Sequence, residues 1–169
     1  MVDPVMGDYG KLYASYTPEM VREMRRLLSY ADLVTPNLTE ACQLLDIPYP
    51  EGGVLPEKEL ESMAQALIKK GPSQVVITGL PEGETIRNLV CEKGKPVESI
   101  RARKIGGDRC GTGDAFAAIV AGALIQGEAL PGAVRKAADF IEKCMIYTES
   151  LQIPWTHGLA FEEYLTELK

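Results

Sequence analysis

Residues 56–78 read PEKELESMAQALIKKGPSQVVIT. From Pro56 to Lys70 the apolar residues recur at helical spacing, which predicts an amphipathic helix ended by Gly71. Gln74–Thr78 (QVVIT) is then a short continuous apolar run rich in β-branched residues. Such a run suits a strand covered on both faces of a sheet. A helix that returns through a Gly-Pro turn into a buried strand is the repeating unit of an α/β fold.

The same alternation extends in both directions. Upstream, Asp32–Thr35 predicts a short buried strand stopped by Pro36. Asn37 then caps a helix running to about Leu45, with Glu40 three residues on as in a capping box. Residues 48–55 (PYPEGGVL) read as a loop. Thr17 caps a helix from Pro18 to Tyr30 with proline at its first position, and Val2–Met6 predicts a strand leading into a Gly7-Asp8 turn. Downstream, Thr85–Cys91 and Val97–Lys104 alternate like a hairpin around Glu92-Lys93-Gly94-Lys95. A glycine-rich segment, Gly106–Gly113, precedes helices over Asp114–Ile125 and Pro131–Glu149 and a short final helix over Phe161–Leu168. The expected fold is a single α/β domain over 1–169, a three-layer α/β/α sheet, mostly parallel, with an antiparallel hairpin at its edge.

Composition narrows the function. The 169 residues are 46% hydrophobic and 25% charged, a globular balance. No apolar run approaches the ~20 residues of a membrane helix, and the opening MVDPVMGDYG lacks the pattern of a secretory signal. The net charge of −6 argues against a nucleic-acid surface, though not against a nucleotide. Cys42, Cys91, Cys110 and Cys144 are scattered and the sole histidine is His157, so the thiols read as free, in a cytoplasmic protein without a zinc site.

Three polar motifs, Gly7-Asp8, Thr35-Pro36-Asn37 and Thr78-Gly79, fall at the ends of predicted strands, where α/β folds collect ligands, and a fourth lies in the glycine-rich segment. Gly111-Thr112-Gly113-Asp114 opens an apolar helix. Glycines let main-chain N–H groups converge, and the helix start carries partial positive charge, which suits a phosphoryl group. An acid in that place would repel phosphate, and fits best as a base that takes the proton of an attacking hydroxyl. Helix capping by an acid beside turn glycines is the structural alternative. Asp3 and Asp8 flank the first strand end and could hold a hard cation, or be solvated acids. Asn37 and Glu40, after Thr35-Pro36, could reach a cation or phosphate, or form only the capping box. Thr78-Gly79 ends the third strand. Arg101, Arg103, Lys104 and Arg109 read as a solvated basic face rather than phosphate ligands, Cys110 as a small space-filler, and Tyr9, Tyr13 and Tyr16 as a loop packed on the core.

In this order the motifs resemble the ribokinase-like superfamily. Val2-Asp3-Pro4-Val5-Met6-Gly7-Asp8 is similar to the mid-chain motif of pyridoxal kinases, Thr35-Pro36-Asn37 with Glu40 to their next motif, and Gly111-Thr112-Gly113-Asp114-Ala115-Phe116 to the anion-hole motif of the whole superfamily. The ending, from Ile153-Pro154 through Gly158 to Phe161-Glu162, also looks like theirs. The resemblance covers nearly the whole chain and implies transfer of the ATP γ-phosphoryl group to the hydroxymethyl group of pyridoxal, pyridoxine or pyridoxamine. Hydroxymethylpyrimidine kinase of thiamine synthesis and a non-catalytic nucleotide-binding or oligomerisation remnant are the alternatives. It further implies that Asp114 is the base, and that Gly111, Thr112 and Gly113 supply N–H groups. Thr35, Asn37, Thr78 and Gly79 would contact the nucleotide, while Asp3, Asp8 and Glu40 would hold Mg2+, with K+ as a second cation. Family members carry a further segment ahead of the DPVMGD string, supplying central strands, most contacts to the acceptor and much of the dimer surface. The chain is therefore expected to be the nucleotide-binding and catalytic half, to self-associate or derive from a longer product, and to be a poor catalyst alone.

Overall fold

The structure is a computed structural model describing residues 1–168. The chain forms two compact units. The first comprises residues 1–81 and 87–99; the second comprises 82–86 and residues from 100 to the C-terminus.

The first unit opens with a small antiparallel ribbon, β1 (Gly7–Asp8) on β2 (Lys11–Leu12). The helix α1 (Pro18–Leu27) starts where Thr17 Oγ1 accepts the Met20 N–H at 3.3 Å. Then come β3 (Leu33–Val34), α2 (Leu38–Leu45) and α3 (Glu57–Ile68), followed by β4 (Gln74–Glu82), β5 (Thr85–Glu92) and β6 (Glu98–Arg103). The strands form one sheet in the order β3-β4-β5-β6. β3 and β4 are parallel, with Leu33 opposite Gln74 and Val34 opposite Val75. β4 and β5 are joined by Gly83-Glu84 alone, a connection that only an antiparallel pair can make. The sheet is mixed, as expected.

Periodicity explains the core. On α3, Leu60, Met63, Ala64, Leu67 and Ile68 are buried, a stripe at the i, i+3, i+4, i+7, i+8 positions. Val75, Val76 and Ile77 of β4 are all fully buried, which a strand with both faces covered requires. The α3 stripe, Val75 and Ile77 join Met6, Leu28, Val34, Leu44 and Leu89 in one hydrophobic cluster.

The second unit is built on α4 (Thr112–Ile125) packed against α5 (Leu130–Ser150). Their buried residues include Ala117, Ala123, Ala133, Ala137 and Ala138, small side chains that let two helices approach closely. Among the described residues no helix is long and apolar enough to cross a membrane.

Four expectations are corrected. Val2–Met6 is not a strand: only Val2 pairs, as an isolated parallel bridge to Val34. Pro4 lacks an N–H, and the Met6 N–H is taken by a side chain. Gly7-Asp8 is a strand rather than a turn, the turn lying at Tyr9-Gly10, both with positive φ. α4 begins at Thr112, two residues before Asp114, because Gly111 is the residue in the left-handed cap conformation. The final Glu162–Leu168 segment is a 3-10 helix.

Candidate active site

In the first unit the expected site residues form one hydrogen-bonded system. Its centre is a complete capping box. Asn37 Oδ1 accepts the Glu40 N–H at 2.9 Å, and Glu40 Oε2 accepts the Asn37 N–H at 2.8 Å. Both residues then reach back to the chain start. Glu40 Oε1 accepts the Met6 N–H at 3.1 Å, and Asn37 Nδ2 donates to the Gly7 carbonyl at 2.9 Å. Thr35, only 3% exposed, donates its hydroxyl to Asp3 Oδ1 at 3.0 Å. The Thr78 N–H donates to the Pro36 carbonyl at 2.8 Å, which ties the end of β4 to the same turn. Asp3, Thr35, Asn37, Glu40 and Thr78 are thus linked to one another or to neighbouring main chain by hydrogen bonds that the capping-box spacing begins and the fold completes, and Asp8 lies close enough for its charge to act on Glu40.

The electrostatics follow from burial. Glu40 is 5% exposed, and loss of hydration pushes its carboxyl up to about 7. The two N–H bonds from Asn37 and Met6 oppose that shift, while the negative charges of Asp3 and Asp8 add to it. Glu40 thus lies within reach of two further acidic groups whose charge disfavours its ionised form. Among the described residues no three His, Cys, Asp or Glu side chains are grouped to ligate a metal ion directly.

Gly79 was expected from the sequence, but the residue that holds it was not. The Gly79 N–H donates to Asn88 Oδ1 at 3.2 Å, and Asn88 is 5% exposed on β5. Gly79 has φ +68 and open space where a side chain would stand. A polar residue in the apolar run Leu89-Val90-Cys91 is the only sequence signal that could have pointed to Asn88.

The second unit holds the glycine loop. Gly111 has φ +85, with nothing within 4 Å of the position a Cβ would take, and the same emptiness surrounds Gly113. No side chain caps α4. The first N–H groups of a helix have no acceptor within it, so the amides of Thr112, Gly113 and Asp114 start a 14-residue helix with an uncapped positive end. Asp114 stands exposed in that first turn. The Thr112 hydroxyl donates to the Arg109 carbonyl at 3.1 Å.

In the basic stretch ahead of this loop Arg101, Arg103 and Lys104 are exposed, as expected of a solvated face, and Arg109 alone departs from it. Arg103 pairs with Glu142, and Arg109 is buried and pairs with Glu149. Cys110 is exposed, so it does not fill space. Tyr9 and Tyr13 are exposed as well, and only Tyr16 packs on the core.

Comparison with known proteins agrees with the local geometry. The family model described as phosphomethylpyrimidine kinase matches residues 1–159. A hydroxymethylpyrimidine/phosphomethylpyrimidine kinase of Haemophilus influenzae is 28% identical over 166 residues, 94% of this chain and 58% of that protein. A Bacteroides thetaiotaomicron protein of the phosphomethylpyrimidine kinase type, solved with pyridoxal, superposes with a TM-score of 0.92 at 35% identity. The match covers 98% of this chain and 59% of the other. Pyridoxal kinase of Lactobacillus plantarum superposes at 0.88 with 30% identity, again over 98% of this chain and 59% of the other. The chain thus spans less than two thirds of the length of each of these relatives. On the extent of that match, through the DPVMGD, TPN and GTGD segments, the chain belongs to the phosphomethylpyrimidine kinase family, in which pyridoxal kinases share the fold.

Proposed function

We propose that this chain carries the nucleotide-binding and catalytic part of an ATP-dependent kinase that phosphorylates a hydroxymethyl group on a small heteroaromatic ring. The observation that carries this reading is the uncapped start of α4, with Gly111 left-handed, open space around Gly111 and Gly113, and an exposed acid in the first turn. Main-chain N–H groups at such a helix start stabilise the charge spread over a transferring phosphoryl group. Asp114 accepts the proton of the attacking hydroxyl. The backbone positions the donors before the substrate arrives, so no reorganisation is needed at the moment of transfer.

Asp3, Asp8 and Glu40 would be the residues to hold Mg2+, which would supply neutralisation of phosphate charge. K+ is a second candidate for the same residues. Thr35 and Asn37 act by fixing Asp3 and the Gly7 carbonyl, and Thr78 and Gly79 contact the nucleotide. ATP as donor is supported by the ADP complex of the Bacillus subtilis pyridoxal kinase, 26% identical to this chain.

Two acceptors have support. Pyridoxal and its relatives are favoured by the GTGD form of the loop and by the Lactobacillus and Bacteroides structures. Hydroxymethylpyrimidine is favoured by the family model and the Haemophilus relative. Turnover with each alcohol in parallel, coupled to ADP release, decides between them. Phosphorylation of neither, with retained binding of a non-hydrolysable ATP analogue, would instead favour a nucleotide-binding remnant.

A further inference from the structure

The second unit contains an ion pair, its arginine side chain buried and its glutamate partly exposed, that the proposed chemistry does not use. Arg109 sits two residues before Gly111, and its side chain is only 8% exposed. Nε and Nη2 donate to Glu149 Oε1 at 3.3 and 2.9 Å, and Nη1 donates to the Ile153 carbonyl at 2.9 Å. All three guanidinium nitrogens are therefore engaged with the last turn of α5 and the segment after it. The other end of the residue is engaged as well, since the Arg109 carbonyl accepts the Thr112 hydroxyl.

Two more hydrogen bonds and two close approaches at glycines run between the same two stretches or pin one of them. The Leu159 N–H donates to the Cys110 carbonyl at 3.1 Å. The Ala160 N–H donates to Thr148 Oγ1 at 2.9 Å, and Thr148 is fully buried on α5. A Cβ on Gly106, at φ +58, would lie 2.4 Å from Glu149 Cδ. One on Gly158, at φ +76, would lie 3.0 Å from the Cys110 carbonyl oxygen. Glycine at 158 lets that segment approach the Cys110 main chain, and glycine at 106 leaves room for the Glu149 side chain of α5.

We propose that Arg109 and Glu149 are positioning residues for the glycine loop, and that residues 153–160 form a strap holding residues 106–110 in place, so that the amides of Gly111–Gly113 start the helix aimed at one point. The proposal rests on the kinase reading for its purpose, but its geometry is independent of it. An arginine suits the place because its planar fork bridges the Glu149 carboxylate and the Ile153 carbonyl at once, which a lysine ammonium cannot do with the same rigidity. Because the guanidinium is buried and engaged, Arg109 works through the loop rather than on the phosphate.

The test uses the whole chain as Arg109→Lys, Glu149→Gln and the double variant. Two readouts are followed: hydrogen exchange of individual amides, and affinity for a Mg2+-loaded non-hydrolysable ATP analogue. The expected result is faster exchange confined to residues 106–114, with the β4 amides unchanged. Analogue binding is expected to weaken about tenfold, the scale on which displaced donors lose their target. The double variant should be no worse than the poorer single one, because both remove one contact. A purely structural pair would lower the thermal midpoint and leave analogue affinity untouched, which overturns the proposal, as does unchanged loop exchange in all three variants. If the wild-type chain does not bind the analogue, the kinase reading fails and the exchange pattern alone decides whether the strap holds the loop. Glu149→Gln keeps size and one acceptor, so it remains informative if the arginine variant does not fold.

Discussion

The two clusters of candidate site residues solve opposite problems. In the first unit nearly every polar group is spent on another. Glu40 accepts two main-chain N–H groups, Asn37 makes three contacts, and Thr35 is buried against Asp3. In the second unit the start of α4 is left bare, and the strain needed to shape it lies in Gly106, Gly111 and Gly158, all at positive φ. One region is rigid because its groups satisfy each other; the other is held from outside so that its donors stay free. The comparison separates residues that build the site from those that would touch a ligand.

The difference is broken most severely at Asp114. Asp114→Asn should lower phosphoryl transfer by roughly a thousandfold, within the range for loss of a general base. It should leave the thermal midpoint and ATP-analogue affinity close to wild type, since the side chain is exposed. Steady-state kinetics with calorimetry on the same preparations checks this. Glu40→Ala should act on stability as well as on transfer. It strands two N–H groups at about 1–3 kcal/mol each and so lowers stability by several kcal/mol in urea denaturation.

Glycines sharpen the contrast. At Gly7 a Cβ would lie 2.1 Å from the Lys11 carbonyl oxygen, a backbone atom that cannot swing away. Gly7→Ala should therefore cost more than about 2 kcal/mol. Gly111 has open space but φ +85, so Gly111→Ala should cost only the left-handed penalty of about 1–2 kcal/mol. Equilibrium unfolding of the pair ranks them.

The same contrast carries a pH dependence. An unfolded glutamate titrates near 4.5, whereas Glu40 in the fold titrates near 7. Between those values the folded chain binds the extra proton, so this group's contribution to stability is full below 4.5 and is lost as pH rises through 7. Glu40→Gln should flatten that slope, and saturating Mg2+ should flatten it in the wild type as well. Thermal midpoints taken from pH 4.5 to 8 test both.

Much of this was legible in the sequence because it is local. The α3 stripe, the QVVIT strand and the Asn37–Glu40 box follow from spacing alone, and the structure bears them out. What escaped was set by distant partners. Val2–Met6 reads as a strand by composition, but the Met6 N–H is claimed by Glu40, 34 residues away. Arg109 reads as one more basic residue before the loop, and only folding brings it to Glu149, 40 residues on. Asn88 is a polar residue in an apolar strand whose partner, Gly79, lies on the neighbouring one. The grouping of Asp3, Asp8 and Glu40 was suggested by motif order; the charge effect of the two aspartates on Glu40 needed the fold.

The central claim is that main-chain donors at the start of α4 receive the phosphoryl group. A titration of the isotope-labelled chain with a Mg2+-loaded non-hydrolysable ATP analogue, followed amide by amide, tests it most directly. Saturable shifts at Gly111, Thr112 and Gly113, with matching affinity at Thr78 and Gly79, are predicted. Saturation that moves other amides and leaves residues 111–113 where they were would contradict it.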